Sequence, residues 1–80
     1  MKYMENFEHT MSDLFAQLGL PDSDTEIDEF IHAHRPLPDN LSLEEASFWN
    51  TGQAQFIHEA IYEDSDWSEL VDQLNSRLRT

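Results

Sequence analysis

Three pairs in this chain, each a Ser or Thr three residues ahead of an acid, carry a helix-start signature, and the first two open directly onto an apolar stripe. Thr10 with Asp13, Ser23 with Glu26 and Ser42 with Glu45 have the capping-box form. In that form hydroxyl and carboxylate hydrogen-bond the backbone N–H groups that the first turn of a helix leaves unpaired. Behind the first pair, Met11, Leu14, Phe15 and Leu18 follow at i, i+3, i+4 and i+7, which is helical period. Gly19 stops that helix as the residue beyond its cap, and Pro21 prevents continuation. Behind the second pair, Ile27, Phe30 and Ile31 form an inner face, and Asp24 suits the positive end of the helix. Arg35, Pro36 and Pro38 end the segment. The third pair opens a short helix or single turn around Leu43–Ser47.

The second half continues the pattern. Thr51 is the expected N-cap of a helix from Gly52 to about Glu63, with Ala54, Ile57 and Ile61 on one face and Phe56 and Ala60 beside it. Ser65 is the expected cap of the last helix. There Trp67, Leu70, Val71, Leu74 and Leu78 make the cleanest stripe in the chain, with Arg77 and Arg79 in the final turn. No segment alternates at period two long enough for a strand, and no Asn-Gly or Asp-Gly hairpin signal occurs. The fold class is therefore all-α: a compact, irregular bundle of four helices plus one short helical turn, with no sheet. Residues 1–9 read as a leader whose Tyr3, Met4 and Phe7 lie across the core, and residues 10–79 as a single domain. Helices this short are marginal alone, so packing must stabilise them.

Composition then narrows the function. The chain of 80 residues has no cysteine, which excludes a disulfide framework, thiolate catalysis and cysteine-ligated metals. Seventeen acids against four Lys and Arg give a net charge of −13, shared as −7 (nine acids, two cations) in residues 1–40 and −6 (eight, two) in residues 41–80. Without a basic patch, direct binding to nucleic acid or an anionic membrane is not expected. No apolar run is long enough for a membrane span, and the cytoplasm is the expected location.

Chemistry-bearing constellations are few. Glu29 and His32 form a Glu-x-x-His unit, as in di-iron bundles, but its nearest counterpart, Gln55-x-x-His58, has an amide where the carboxylate should be. A small metal site using Glu29, His32 and His58 is kept as a second alternative. It requires the two Phe-Ile-His helices to face each other. His58-Glu59-Ala60-Ile61-Tyr62 lacks the second histidine of a zinc-peptidase helix. With Gly19 and Gly52 the only glycines and Lys2 the only lysine, phosphate loops and Schiff-base chemistry are not expected. Asp22, Asp24, Glu26 and Asp28 alternate, yet the glycine and closing glutamate of a calcium loop are missing. No catalytic residue, cofactor, metal or small-molecule substrate is indicated.

Phe48 and Trp49 stand at a helix junction. Either both rings plug the gap between the short turn and the long helices, or Trp49 belongs to an exposed patch. In the second case Tyr62, one residue past Ile61, joins it as a partner-facing rim. Phe48, Trp49 and Tyr62 are thus the candidate partner-binding residues. Twenty of the large apolar side chains, Met4, Phe7, Leu37, Leu43, Phe48 and Trp49 among them, are more than so thin a domain comfortably hides, which leaves a symmetric dimer and a monomer both open.

Seven blocks carry a family resemblance: Leu14 to Pro21; Phe30-Ile31-x-x-His34-Arg35-Pro36-Leu37-Pro38; Leu43 to Ala46; Phe48-Trp49; Gln53-Ala54-x-Phe56; Glu59-Ala60-Ile61-x-Glu63-Asp64; and Asp66-Trp67-x-Glu69-x-Val71-Asp72-Gln73-Leu74. Over about residues 7–79 the chain resembles a family of short acidic bacterial proteins known only as a domain of unknown function. Ser47 stands where that family often has proline before Phe-Trp. The resemblance implies a stand-alone all-helical domain and no assigned activity. Within the blocks, Gln17, His34, Arg35, Gln53 and Gln73 are polar residues that packing alone does not demand. Structural roles are expected for them: Gln17 and Gln73 at helix ends or a loop, His34 and Arg35 on terminal carbonyls with Arg35 paired to acids. The function expected is that of a small acidic cytoplasmic protein, a protein-binding or regulatory module without catalysis. The alternative is an acidic decoy or adaptor for a basic nucleic-acid-binding protein.

Overall fold

Local capping sets where the first three α-helices begin. The computed structural model describes residues 9–63 and 66–80. Helix α1 spans Met11–Gln17, α2 Asp24–His34, α3 Thr51–Tyr62 and α4 Ser68–Arg79, with a 3-10 turn at Leu43–Glu45 between α2 and α3. Among the described residues there is no strand, and the fold is an all-helical bundle. At α1 the Thr10 hydroxyl accepts from Asp13 N–H at 3.1 Å while the Asp13 carboxylate accepts from Thr10 N–H at 3.0 Å. Ser23 and Glu26 make the same exchange at α2. In the 3-10 turn the Glu45 carboxylate accepts from Ser42 N–H at 3.1 Å.

Gly19 ends α1 at φ +74°, with Gly19 N–H donating to Ala16 C=O at 3.0 Å and Leu20 N–H to Phe15 C=O at 2.9 Å. That pair of bonds is the Schellman closure, and the left-handed residue it needs is cheapest as glycine.

Two helix starts differ from the sequence reading. Asn50, not Thr51, caps α3: its side-chain oxygen accepts from Gln53 N–H at 2.7 Å, and Gln53 Oε1 accepts from Asn50 N–H at 2.9 Å. The reason is the residue three positions on. Asn50 finds a glutamine there and closes the box, whereas Thr51 would find Ala54. Helix α4 begins at Ser68, with Trp67 flanking it and no side-chain cap. The expected cap Ser65, and the leader residues Tyr3, Met4 and Phe7, lie outside the described residues.

Helix α4 is the hub, packing against α1, α2 and α3, while α3 also packs on the 3-10 turn. This is why its stripe is the strongest. Val71, Leu74 and Leu78 are fully buried, together with Leu14 and Phe15 of α1 and Ile57 of α3. The connection from Arg35 to Asn50 is tied to the C-terminal end of α4. Leu37 is buried and its N–H donates to Leu78 C=O at 2.8 Å. The Arg79 guanidinium donates to the carbonyls of Pro38 at 2.6 Å and Leu41 at 2.7 Å, and to Asn75 Oδ1 at 3.0 Å.

Candidate functional site

Aromatic side chains gather at the junction between α2 and the segment leading into α3. The Phe30 ring meets Phe15 and Phe48 edge-on at 5.3 and 5.6 Å and stacks with Trp49 at 5.6 Å. His34 lies against Phe30 at 4.3 Å and Phe48 at 4.2 Å. Its Nδ1 sits 2.7 Å from Phe30 C=O, so that nitrogen carries the hydrogen and donates it to its own helix.

Trp49 is only 8% exposed and its indole N–H donates to Leu43 C=O at 2.9 Å. A rim position for Trp49 is therefore corrected: the indole shares the Leu43 carbonyl of the 3-10 turn with Ala46 N–H, and a buried indole needs such an acceptor. Phe48 beside it is half-buried.

Tyr62 is placed differently. It occupies the last turn of α3 and is 59% exposed, the exposed large hydrophobic among the described residues. Its ring lies 4.6 Å from that of His58, one turn earlier. His58 Nδ1 in turn is 3.7 Å from Glu44 Oε2, an ion-pair distance too long for a hydrogen bond. The Glu44 side chain, on the 3-10 turn, is only 15% exposed, and its Oε1 is buried without a hydrogen-bond partner. Glu44, His58 and Tyr62 thus form a chain of contacts running outward from the turn to solvent. Nothing in the sequence pattern signalled the burial of Glu44, because it depends on α3 packing over the turn.

The remaining polar candidates separate. Gln53 is engaged at both ends of its amide: Oε1 completes the α3 cap, and Nε2 donates at 2.8 Å to Leu18 C=O, where α1 ends. One side chain therefore joins the end of one helix to the start of another. Gln17 and Gln73 are exposed, and among the described residues neither makes the expected hydrogen bond, since both point off the apolar stripes into water. Arg35 lies on His32 Nδ1 at 3.3 Å rather than on the expected carboxylate. On α2 it is Asp28 that finds an arginine, Arg77, at 2.9 Å.

The metal alternative asked Glu29, His32 and His58 to converge. All three are exposed, and among the described residues no group of three or more His, Asp or Glu is placed to hold an ion. Phe30 and Ile31, packed with the core, turn the neighbouring Glu29 and His32 outward. A cavity of about 370 Å³ opens between the end of α1 and the first turn of α3, lined by Gln17, Leu18, Asn50, Gly52, Gln53 and Phe56. None of these side chains is ionisable, so the lining offers hydrogen bonds and an apolar wall but no acid–base group. Among the described residues no helix is long and apolar enough to cross a membrane.

No curated protein and no solved structure matches the chain. One family model does, over residues 4–78, nearly the whole length. Its span takes in every block on which the sequence resemblance rested, and the all-helical architecture is the one that resemblance implied. The chain belongs to the family of proteins of unknown function designated DUF2789.

Proposed function

We propose that this domain is a protein-binding module that acts by contact and performs no catalysis. The observation that carries the reading is Tyr62: a large aromatic ring held 59% exposed at the end of a helix, beside a core that hides the other described large rings wholly or in part. Tyrosine is enriched where proteins meet, because it adds apolar area and a hydroxyl with little rotamer freedom to lose. Of the sequence candidates, Trp49 leaves the binding set as an interior residue, and Phe48 stays only as a half-buried edge. The mutual repulsion of two chains at −13 favours a different protein over a second copy as the partner.

Site-specific photo-crosslinking tests it. Tyr62→p-benzoylphenylalanine keeps an aromatic ring at the site, and the same replacement at Thr25, exposed on α2, is the control. Discrete covalent adducts from position 62 and none from position 25 are expected in cells. Adducts at neither position, or the same adducts at both, would refute the reading.

A further inference from the structure

Resting on that reading, we infer that the Tyr62 surface is built for a basic, arginine-bearing segment of another protein. The argument starts from where the few cations go. Three of the four Lys and Arg residues are Arg35, Arg77 and Arg79, and the fold brings all three to the C-terminal end of α4. Arg77 and Arg79 belong to its last turn, and the chain after Arg35 docks there through Leu37 N–H and Leu78 C=O at 2.8 Å. Each is already occupied within the protein: Arg77 with Asp28, Arg79 with two loop carbonyls and Asn75, Arg35 with His32.

The opposite end of α4 meets the last turn of α3, where the Ser68 hydroxyl donates to Ala60 C=O. Here stand Tyr62 and, within one turn or across the connection, Glu59, Glu63, Asp66 and Glu69, all exposed. Among the described residues none of these four acids has a cationic partner. Helix α4 has 12 residues and is therefore about 18 Å long. That exceeds the Debye length of about 8 Å at physiological salt, so the arginines at the far end do not neutralise the field around Tyr62.

Acids also stand free at the start of α2, but no large apolar side chain is exposed there. Among the described residues the two requirements coincide only at the α3–α4 corner. A guanidinium suits both at once, because it stacks on a phenol face as a cation and forks two hydrogen bonds onto a carboxylate. Lysine supplies the charge without the flat face.

The test titrates the full isotope-labelled chain with a short synthetic peptide of arginine and alanine, with lysine and glutamate counterparts as comparison. Amide shifts are expected at Glu59–Glu63 and residues 66–69 with the arginine peptide, weaker with lysine and absent with glutamate, and they should fade as salt rises. Tyr62→Ala should weaken binding about two- to fivefold, the range for an exposed cation–π contact, while Tyr62→Phe keeps it. Neutralising the site with Glu59→Gln and Glu69→Gln should weaken binding more than the equal charge change Asp22→Asn and Asp39→Asn. No binding at low salt, equal effects of the two charge changes, or indifference to Tyr62→Ala would each overturn the inference. Those results leave the protein-binding reading standing. A photo-crosslinked partner whose attached segment is neutral or acidic would likewise sink the arginine assignment alone.

Discussion

The two ends of α4 make opposite use of the same helix. At its C-terminal end a buried leucine, two arginines and a returning loop lock together, and every cation is engaged by the protein itself. At its N-terminal end the flanking Trp67 supplies no side-chain cap and is only half-buried, and acids face water beside an exposed tyrosine. In a chain with seventeen acids and four Lys and Arg, cations are the scarce material. The three described cations gather at one end, where Arg79 secures the long connection, and none of them stands among the acids at the other. On the function proposed above, architecture and recognition fall at opposite poles.

The strongest way to break the comparison is at the locked pole. Leu78 is fully buried, and Leu78→Ala should cost about 2–5 kcal/mol, the range for leucine truncation in a packed core. A domain of this size holds only about 4–12 kcal/mol in total, so urea denaturation followed by circular dichroism should show a large fall in midpoint. A loss below about 1 kcal/mol would mean that this end is not the anchor.

Next comes Arg79→Ala, which leaves the Leu41 carbonyl without its side-chain donor and the Pro38 carbonyl with Leu41 N–H alone. The expected cost is about 1–3 kcal/mol, the usual penalty for unmade hydrogen bonds in a partly buried setting. Hydrogen exchange at Leu37, whose N–H is bonded to Leu78, should accelerate more than exchange at Ile57 in α3. Equal acceleration at both would show a global rather than a local loosening.

Arg77→Ala sharpens the contrast between neighbours. Its pair with Asp28 is exposed on both sides, 45% and 64%, and exposed pairs contribute about 0.2–1 kcal/mol at most. The effect should shrink further as salt is added. A cost matching that of Arg79→Ala would contradict the division between an arginine that holds the loop and one that merely neutralises.

The smallest change in stability belongs to the recognition pole. Tyr62→Ala should move the unfolding midpoint by no more than about 0.5 kcal/mol, as for a surface substitution, while removing the crosslinking partner's foothold. If it destabilises by more than about 1 kcal/mol, Tyr62 is a packing residue, and its ring against His58 is structural.

Much of the fold was open to reading from single residues. Thr10 with Asp13, Ser23 with Glu26, and Gly19 were assigned their positions from sequence alone, and the structure places them so. Those interactions span only a few residues, so no knowledge of the rest of the chain is needed. The same logic misjudged α3 by one position, because Thr51 looks as good a cap as Asn50 until the partner at Gln53 is considered. For the site, Tyr62 was nameable from its place one residue beyond the apolar stripe. Trp49 was not separable from it, since two neighbouring rings at a junction carry no periodicity that says which one turns inward.

By itself the sequence determined the helical period, the caps and the apolar stripes, which are properties of neighbours along the chain. It also determined the excess of acid and the absence of thiol chemistry. Only the tertiary structure decided that Gln53 reaches Leu18 across 35 positions, that Arg79 holds a loop 38 to 41 positions away, and that Trp49 closes on the 3-10 turn. It alone drew the described arginines to one pole and left Tyr62 among acids at the other. The physical reason is range. Capping and periodicity act within one or two turns, whereas the meeting of distant side chains depends on how short helices pack around α4, and no local interaction encodes that.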